Sequence, residues 1–218
     1  RSAKPYTRDP ELPYYLGVLV VSSVALALYL TAANAYGDLW RALRDSAFHV
    51  VSIATSLGFT TTDYGLWPIF AQLWLLFLGS FTACAGSTGG GIKMMRAIIL
   101  HKQIYREVVR AIHPNAVVPL RVGETTIDNR VVFAVLGFSF LYMVSIVSLT
   151  LLLSASGLDV VTAFSAVVAC INNTGPGLGA VGPAANYGWL NETQTLLLTF
   201  TMVLGRLEIF TFLVVLTP

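Results

Sequence analysis

The amino-acid sequence predicts an all-α integral membrane protein built from two parallel repeats, each a spanning helix, a short re-entrant helix and a second spanning helix. Composition is the first reason. Hydrophobic residues make up 56% of the 218 and charged residues 11%, with a mean hydropathy of +0.73; a soluble domain carries roughly 25% charged residues. The order of the apolar segments is the second reason: long, short, long, then long, short, long again. Charge placement is the third, because Lys and Arg gather in two stretches. The formal net charge of +2 says little about partners, and no nucleic-acid partner is expected.

The elements follow in order. Residues 1–12 form a polar, Pro-containing segment with Arg1, Lys4 and Arg8, without an initiator Met or a signal-peptide layout. The chain is therefore expected to be a portion of a longer polypeptide. A first repeat is expected over 13–92, with a spanning helix at 13–35, a short segment at 39–53 and a second, broken helix at 66–85. A basic linker fills 93–130. The second repeat covers 131–218, with apolar segments at 131–155, 158–171 and 193–216. The long segments are near the ~20 residues that cross a bilayer, whereas about 14 residues suit a re-entrant helix. Asp38 is placed to cap the first short helix, and Asp159, after Ser156 and Gly157, falls in the first turn of the second. Phe48 matches Phe164 at an offset of 116 and Gly58 matches Gly175 at 117, which leaves one residue of slip.

Charge orients the repeats. Lys93, Arg96, Lys102, Arg106, Arg110 and Arg121 stand against the single acid Glu107, and Lys/Arg-rich loops stay cytoplasmic. Both repeats then begin and end inside, the short helices dip in from the outer face, and Asp63 and residues 187–192 lie outside. A parallel pair argues against an inverted-repeat transporter. Cys84 and Cys170 sit in apolar surroundings and read as small buried residues. His49, His101 and His113 are scattered, so no metal cluster is expected.

Each short segment leads into a polar, glycine-containing stretch: Thr55, Ser56, Leu57, Gly58, Phe59 in the first and Asn172, Asn173, Thr174, Gly175, Pro176 in the second. Extended backbone at membrane depth is tolerated where it is buried in protein or lines water. Its carbonyls can then replace the hydration shell of a weakly hydrated cation such as K⁺. The negative C-terminal end of each short helix favours the same charge.

GSTGGGIK, at 86–93, looks like a phosphate loop and departs from one. Ile92 separates Gly91 from Lys93, Met94 stands where Ser or Thr is required, and a membrane helix precedes it in place of a strand. Gly86 and Gly90 have GxxxG spacing, but so many weak helix formers predict a break in the helix. Arg206 lies in the last apolar run, where a cation marks function by default. At the repeat offset it faces Gly89. An Arg beneath a cation filter is an electrostatic barrier, and a flexible loop beside it a steric one. A local Arg206–Glu208 pair is disfavoured because residues two apart point to different sides of a helix.

The runs CAGSTGGGIKMMRAIIL, INNTGPGLG and LGRLEIFT, in this order, resemble the membrane subunits of bacterial Trk potassium-uptake systems, in the Trk/Ktr/HKT superfamily. The resemblance covers nearly the whole chain. It implies a K⁺-channel-like fold in which four M1–pore-helix–M2 repeats surround one pore, with this chain similar to the third and fourth. It implies filter segments at 55–59 and 172–176, which bind potassium through backbone carbonyls. Gly86, Ser87, Thr88, Gly89, Gly90 and Gly91 would be an intramembrane gating loop, and Arg206 a cavity arginine. It also implies a multi-pass location in the bacterial inner (plasma) membrane, with no cofactor and no enzymatic chemistry. Homodimers seated on a cytosolic ring of TrkA-like nucleotide-binding subunits are the implied assembly. The basic linker suits docking of that ring, and contact with anionic lipid accounts for it equally well. Two repeats cannot enclose a pore alone, so the missing N-terminal half is implied too. An ion-coupled (H⁺ or Na⁺) secondary transporter and a nucleotide-binding membrane enzyme are the competing readings; the latter rests on GSTGGGIK alone.

Overall fold

The computed structural model describes residues 11–207 apart from 82, 83, 85, 86, 88 and 124. Seven helices account for most of these residues. Helix α1, Glu11–Ala32, is followed by Asn34 in the left-handed region at φ 56°, which turns the chain toward α2, Leu39–Ala54. The Asp38 carboxylate accepts the Trp40 and Arg41 N–H groups and so caps α2 as expected.

Helix α3, Ile69–Phe81, starts three residues later than the predicted 66–85, of which 82, 83 and 85 lie outside the described residues. Pro68 directly precedes it, and a 3₁₀ turn at Tyr64–Leu66 stands where a first helical turn was expected. Proline lacks an N–H to donate to the preceding turn, so an α-helix starts there and does not run through it. The next described helix is α4, Met94–Ile112. It occupies the region read as a basic linker, burying Met94, Ile98 and Ile99 along one side while Ile104, Tyr105 and Val108 are exposed. A two-stranded hairpin follows, β1 (Arg121–Val122) antiparallel to β2 (Thr125–Thr126).

Helix α5, Asn129–Ala155, begins at the Asp128 cap and ends at Ser156, with Gly157 at φ +98° reversing the chain. Asp159 is then the N-cap of α6, Val160–Ile171, and not a residue of its first turn. Its carboxylate accepts the Thr162 N–H at 3.0 Å. Leu158, expected to open this helix, belongs to the connection because Gly157 has already broken the helical path. Helix α7, Glu192–Arg206, opens with a reciprocal capping box between Asn191 and Gln194. The predicted last segment ran to 216; residues from 208 onward, Glu208 included, lie outside the described residues, as do Arg1, Lys4 and Arg8.

Two apolar cores correspond to the two halves. Leu26, Leu30, Val50, Ile53, Leu75 and Leu78 join α1, α2 and α3. Tyr142, Ile146, Val167, Ile171, Leu198 and Leu204 join α5, α6 and α7. Leu178 crosses into the first core and Ile92 into the second, so the halves interlock. A third cluster packs Ile98 and Ile99 of α4 against Val132 and Val135 of α5, with Tyr15 and Val18 of α1 alongside. The starts of α1 and α5 therefore lie at the same end of the molecule, beside the basic helix. Only α1 and α5 are long and apolar enough, among the described helices, to cross a bilayer on those grounds alone.

Candidate functional site

The ends of α2 and α6 adopt one conformation twice. After α2, the N–H groups of Thr55, Ser56 and Leu57 donate to Val51, Ile53 and Ser52. After α6, those of Asn172, Asn173 and Thr174 donate to Val168, Cys170 and Ala169. Ser56 and Asn173 are left-handed at φ 56° and 54°, and Gly58 and Gly175 follow at +72° and +96°. Every one of these pairs is 117 residues apart, so the register at the helix ends is unique. Phe48 and Phe164 are consequently not equivalents. The helices differ only in where they begin, since α6 has 12 residues to the 16 of α2 and is shorter at its N-terminal end. Left-handed backbone at a residue with a Cβ is uncommon, and its repetition at matched positions marks a shared design.

Hydrogen bonds from behind hold the extended stretches. Ser52 Oγ donates to the Phe59 carbonyl at 2.7 Å. The fully buried His49 ring lies between two carbonyls, with Nδ1 2.7 Å from Asp45 O and Nε2 3.2 Å from Thr62 O. In the second half, Ser165 Oγ donates to the Leu178 carbonyl and accepts the Leu178 N–H. Thr162 Oγ1 accepts the Ala180 N–H at 3.2 Å. The hydroxyl of Tyr64 reaches the Gly177 carbonyl of the other half, and Tyr187 donates to Gly175 at 2.8 Å. Burial pushes both of these loop phenols well above their ordinary value, so they remain proton donors. Gly58 packs so closely on the Thr174 carbonyl that a Cβ there would overlap it. The two stretches differ in exposure: Thr55, Leu57 and Phe59 are open, whereas Asn172 and Thr174 are buried.

The glycine-rich segment docks beneath this pair. Ser87, Gly89, Gly90, Gly91 and Lys93 share a cleft of about 140 Å³ with Leu204, Gly205 and Arg206. The arginine and the loop that the sequence aligned at one level thus line one space. Gly86 and Thr88, named with them, lie outside the described residues. Arg206 is the last residue of α7 and is exposed. The Gly90 N–H points to the Asn172 carbonyl at 3.4 Å, and the Ile92 N–H donates to Ser80 O at 2.9 Å. Gly90 and Gly205 both press on the Ile171 carbonyl, where neither tolerates a Cβ. Arg96 stacks over the Phe138 ring at 4.0 Å, beside the same cleft. Cys84 and Cys170 are not disulfide-bonded, and no group of His, Cys, Asp and Glu suited to a metal ion occurs among the described residues. Sequence reasoning missed the supports Tyr142 and Ser80; their only signal was a polar group inside an apolar run.

An all-helical membrane protein with two short helices of matched ends and a glycine-rich segment packed against the second is the class that fold and site define. Residues 15–217 match the family described as TrkH, cation transport protein, and the chain belongs to that family. It is 42% identical over 218 residues to the Trk system potassium uptake protein TrkH of Salmonella typhimurium, covering 100% of this chain and 45% of that protein. The Trk system potassium uptake protein TrkG of Escherichia coli is 38% identical over 217 residues, with 96% and 43% covered. The crystal structure of the potassium transporter TrkH from Vibrio parahaemolyticus superposes with a TM-score of 0.90 at 41% identity, over 98% of this chain and 45% of that one. The chain spans less than half the length of these relatives. They are transport proteins and not enzymes, and the ion in their names is potassium.

Proposed function

We propose that this chain supplies half of a channel-like pore for potassium uptake, as a multi-pass protein of the bacterial inner membrane. The duplicated geometry at the ends of α2 and α6 carries this reading. Two re-entrant helices aim their C-terminal ends at extended segments 55–59 and 172–176, and a helix C-terminus attracts a cation. Carbonyls of Thr55, Ser56, Leu57, Gly58 and Phe59, and of Asn172, Asn173, Thr174, Gly175 and Pro176, replace the water of a weakly hydrated ion. The loop 86–91 closes the path below, and Arg206 adds a repulsive charge to that closure. The first two repeats complete the ring. The basic helix α4 faces the cytoplasm and receives a nucleotide-binding TrkA-like ring, and the whole protein works as a homodimer.

The test is potassium flux into proteoliposomes holding the full-length protein. Deleting 86–91, or making Arg206→Ala, raises basal flux several-fold; unchanged flux in both removes the gating assignment. Gly175→Ser lowers selectivity for K⁺ over Na⁺ while flux persists. Flux follows the potassium gradient when the proton and sodium gradients are collapsed. Strict dependence on either of those gradients would establish a coupled transporter instead.

A further inference from the structure

We infer that Asn172 is a latch that holds the glycine loop shut against the second filter segment, with Tyr142 and Ser80 as its positioning residues. The residue is 1% exposed and sits at the junction of α6 and the extended stretch. Its side-chain oxygen accepts from the Tyr142 hydroxyl of α5 at 2.9 Å. Its side-chain nitrogen donates to Ser80 Oγ of α3 at 3.1 Å, and that hydroxyl in turn reaches Leu76 O at 3.3 Å. Both ends of the amide are therefore held, in an environment where Tyr142 is 2% and Ser80 8% exposed. Its main-chain carbonyl is left facing the loop and meets the Gly90 N–H.

The loop fits this amide closely. Gly91, at φ +81°, lies where a Cβ would overlap the Asn172 side-chain oxygen and stand 2.8 Å from the Ser80 carbonyl. That carbonyl is the one that accepts the Ile92 N–H. Ser80 thus holds the loop through its backbone and Asn172 through its hydroxyl. Lifting the loop breaks the Gly90 and Ile92 bonds together and uncovers a buried amide. Buried main-chain groups that lose their partners, here the Asn172 and Ser80 carbonyls, are costly, which makes the closed arrangement one discrete state. The residue that begins the second extended segment is thereby also the seat of the loop, so movement below is felt above.

This inference rests on the reading of 86–91 as a gate, and the experiment separates the two. Full-length protein is reconstituted without its regulatory ring, and basal potassium flux and K⁺/Na⁺ selectivity are measured. Tyr142→Phe and Ser80→Ala each raise basal flux about fivefold, the effect of losing one buried hydrogen bond, with selectivity retained. Ser80→Thr, which keeps the hydroxyl, restores the low basal flux. In protein lacking 86–91, Tyr142→Phe adds nothing. Wild-type flux in folded Tyr142→Phe and Ser80→Ala overturns the latch while the gate stands. If deletion of 86–91 leaves flux unchanged, the gate itself has failed and the latch falls with it. Should the variants not fold, hydrogen exchange on the wild-type protein decides: the Gly90 and Ile92 amides lose protection together on activation, and independent loss overturns the latch.

Discussion

Gly90 of the glycine-rich segment and Gly205 of the last turn of α7 meet at one backbone oxygen, that of Ile171. A methyl group at either position must displace main chain and not a flexible side chain, so Gly90→Ala and Gly205→Ala each destabilise the protein by about 1–3 kcal/mol. Gly17, within α1 and with open space around it, is the control. Gly17→Ala gains helix propensity and leaves stability equal or raised by about 0.5–1 kcal/mol. Thermal unfolding in detergent, followed by size-exclusion chromatography, ranks the three. At the same scale, His49→Leu removes a fully buried ring that lies between the Asp45 and Thr62 carbonyls and takes its hydrogen bond with it. Its expected cost is about 1–3 kcal/mol, read in the same assay. Gly90 was legible in the sequence because so many weak helix formers rarely cluster in an apolar run, whereas Gly205 stands alone in its run and was not. Tyr142 and Ser80 were not, because one polar residue in such a run looks the same whether it meets lipid, water or a buried amide.

Helices were legible where capping and hydropathy agreed. Asp38 and the end of α2 fell where the pattern put them, and the start of α6 moved by two residues because Asp159 caps from outside. Helix α4 was not anticipated. The six-to-one excess of basic over acidic residues between 93 and 121, four to one within the helix, was read for charge alone, and the apolar spacing of Met94, Ile98 and Ile99 was passed over. Hydrogen bonds from Thr162, side chain and backbone, hold the exposed Asp159 carboxyl below its ordinary value. Its contribution to α6 is complete above 3.8 and disappears as the pH falls through the lower folded value. Melting temperature measured from neutral into acid solution therefore has a component at low pH that Asp159→Asn removes. Asp159→Ala costs about 1 kcal/mol near neutrality through loss of the cap. A melting curve unchanged by Asp159→Ala would show that tertiary packing alone holds this helix.

The molecule as a whole combines two similar halves that start at the same end and interlock through Leu178 and Ile92. Parallel orientation followed from charge, but the angle between the halves did not, because it depends on side chains meeting across the repeat. On the half-pore reading, two halves of this kind enclose only part of a pore, so the 218 residues reconstituted alone carry no selective potassium flux. Adding the N-terminal repeats as a separate polypeptide restores it; selective flux from the short chain would refute the half-pore reading. The Ser80–Asn172 bond has a consequence for synthesis. The chain emerges from the ribosome in order, and Asn172 follows Ser80 by 92 residues. Until α6 has entered the membrane, the glycine segment lacks the Asn172 carbonyl that meets Gly90, although the Ser80 carbonyl can already accept the Ile92 N–H. The contacts that seat Gly90 thus form late in biogenesis, and a nascent chain arrested before α6 holds this segment only partly fastened.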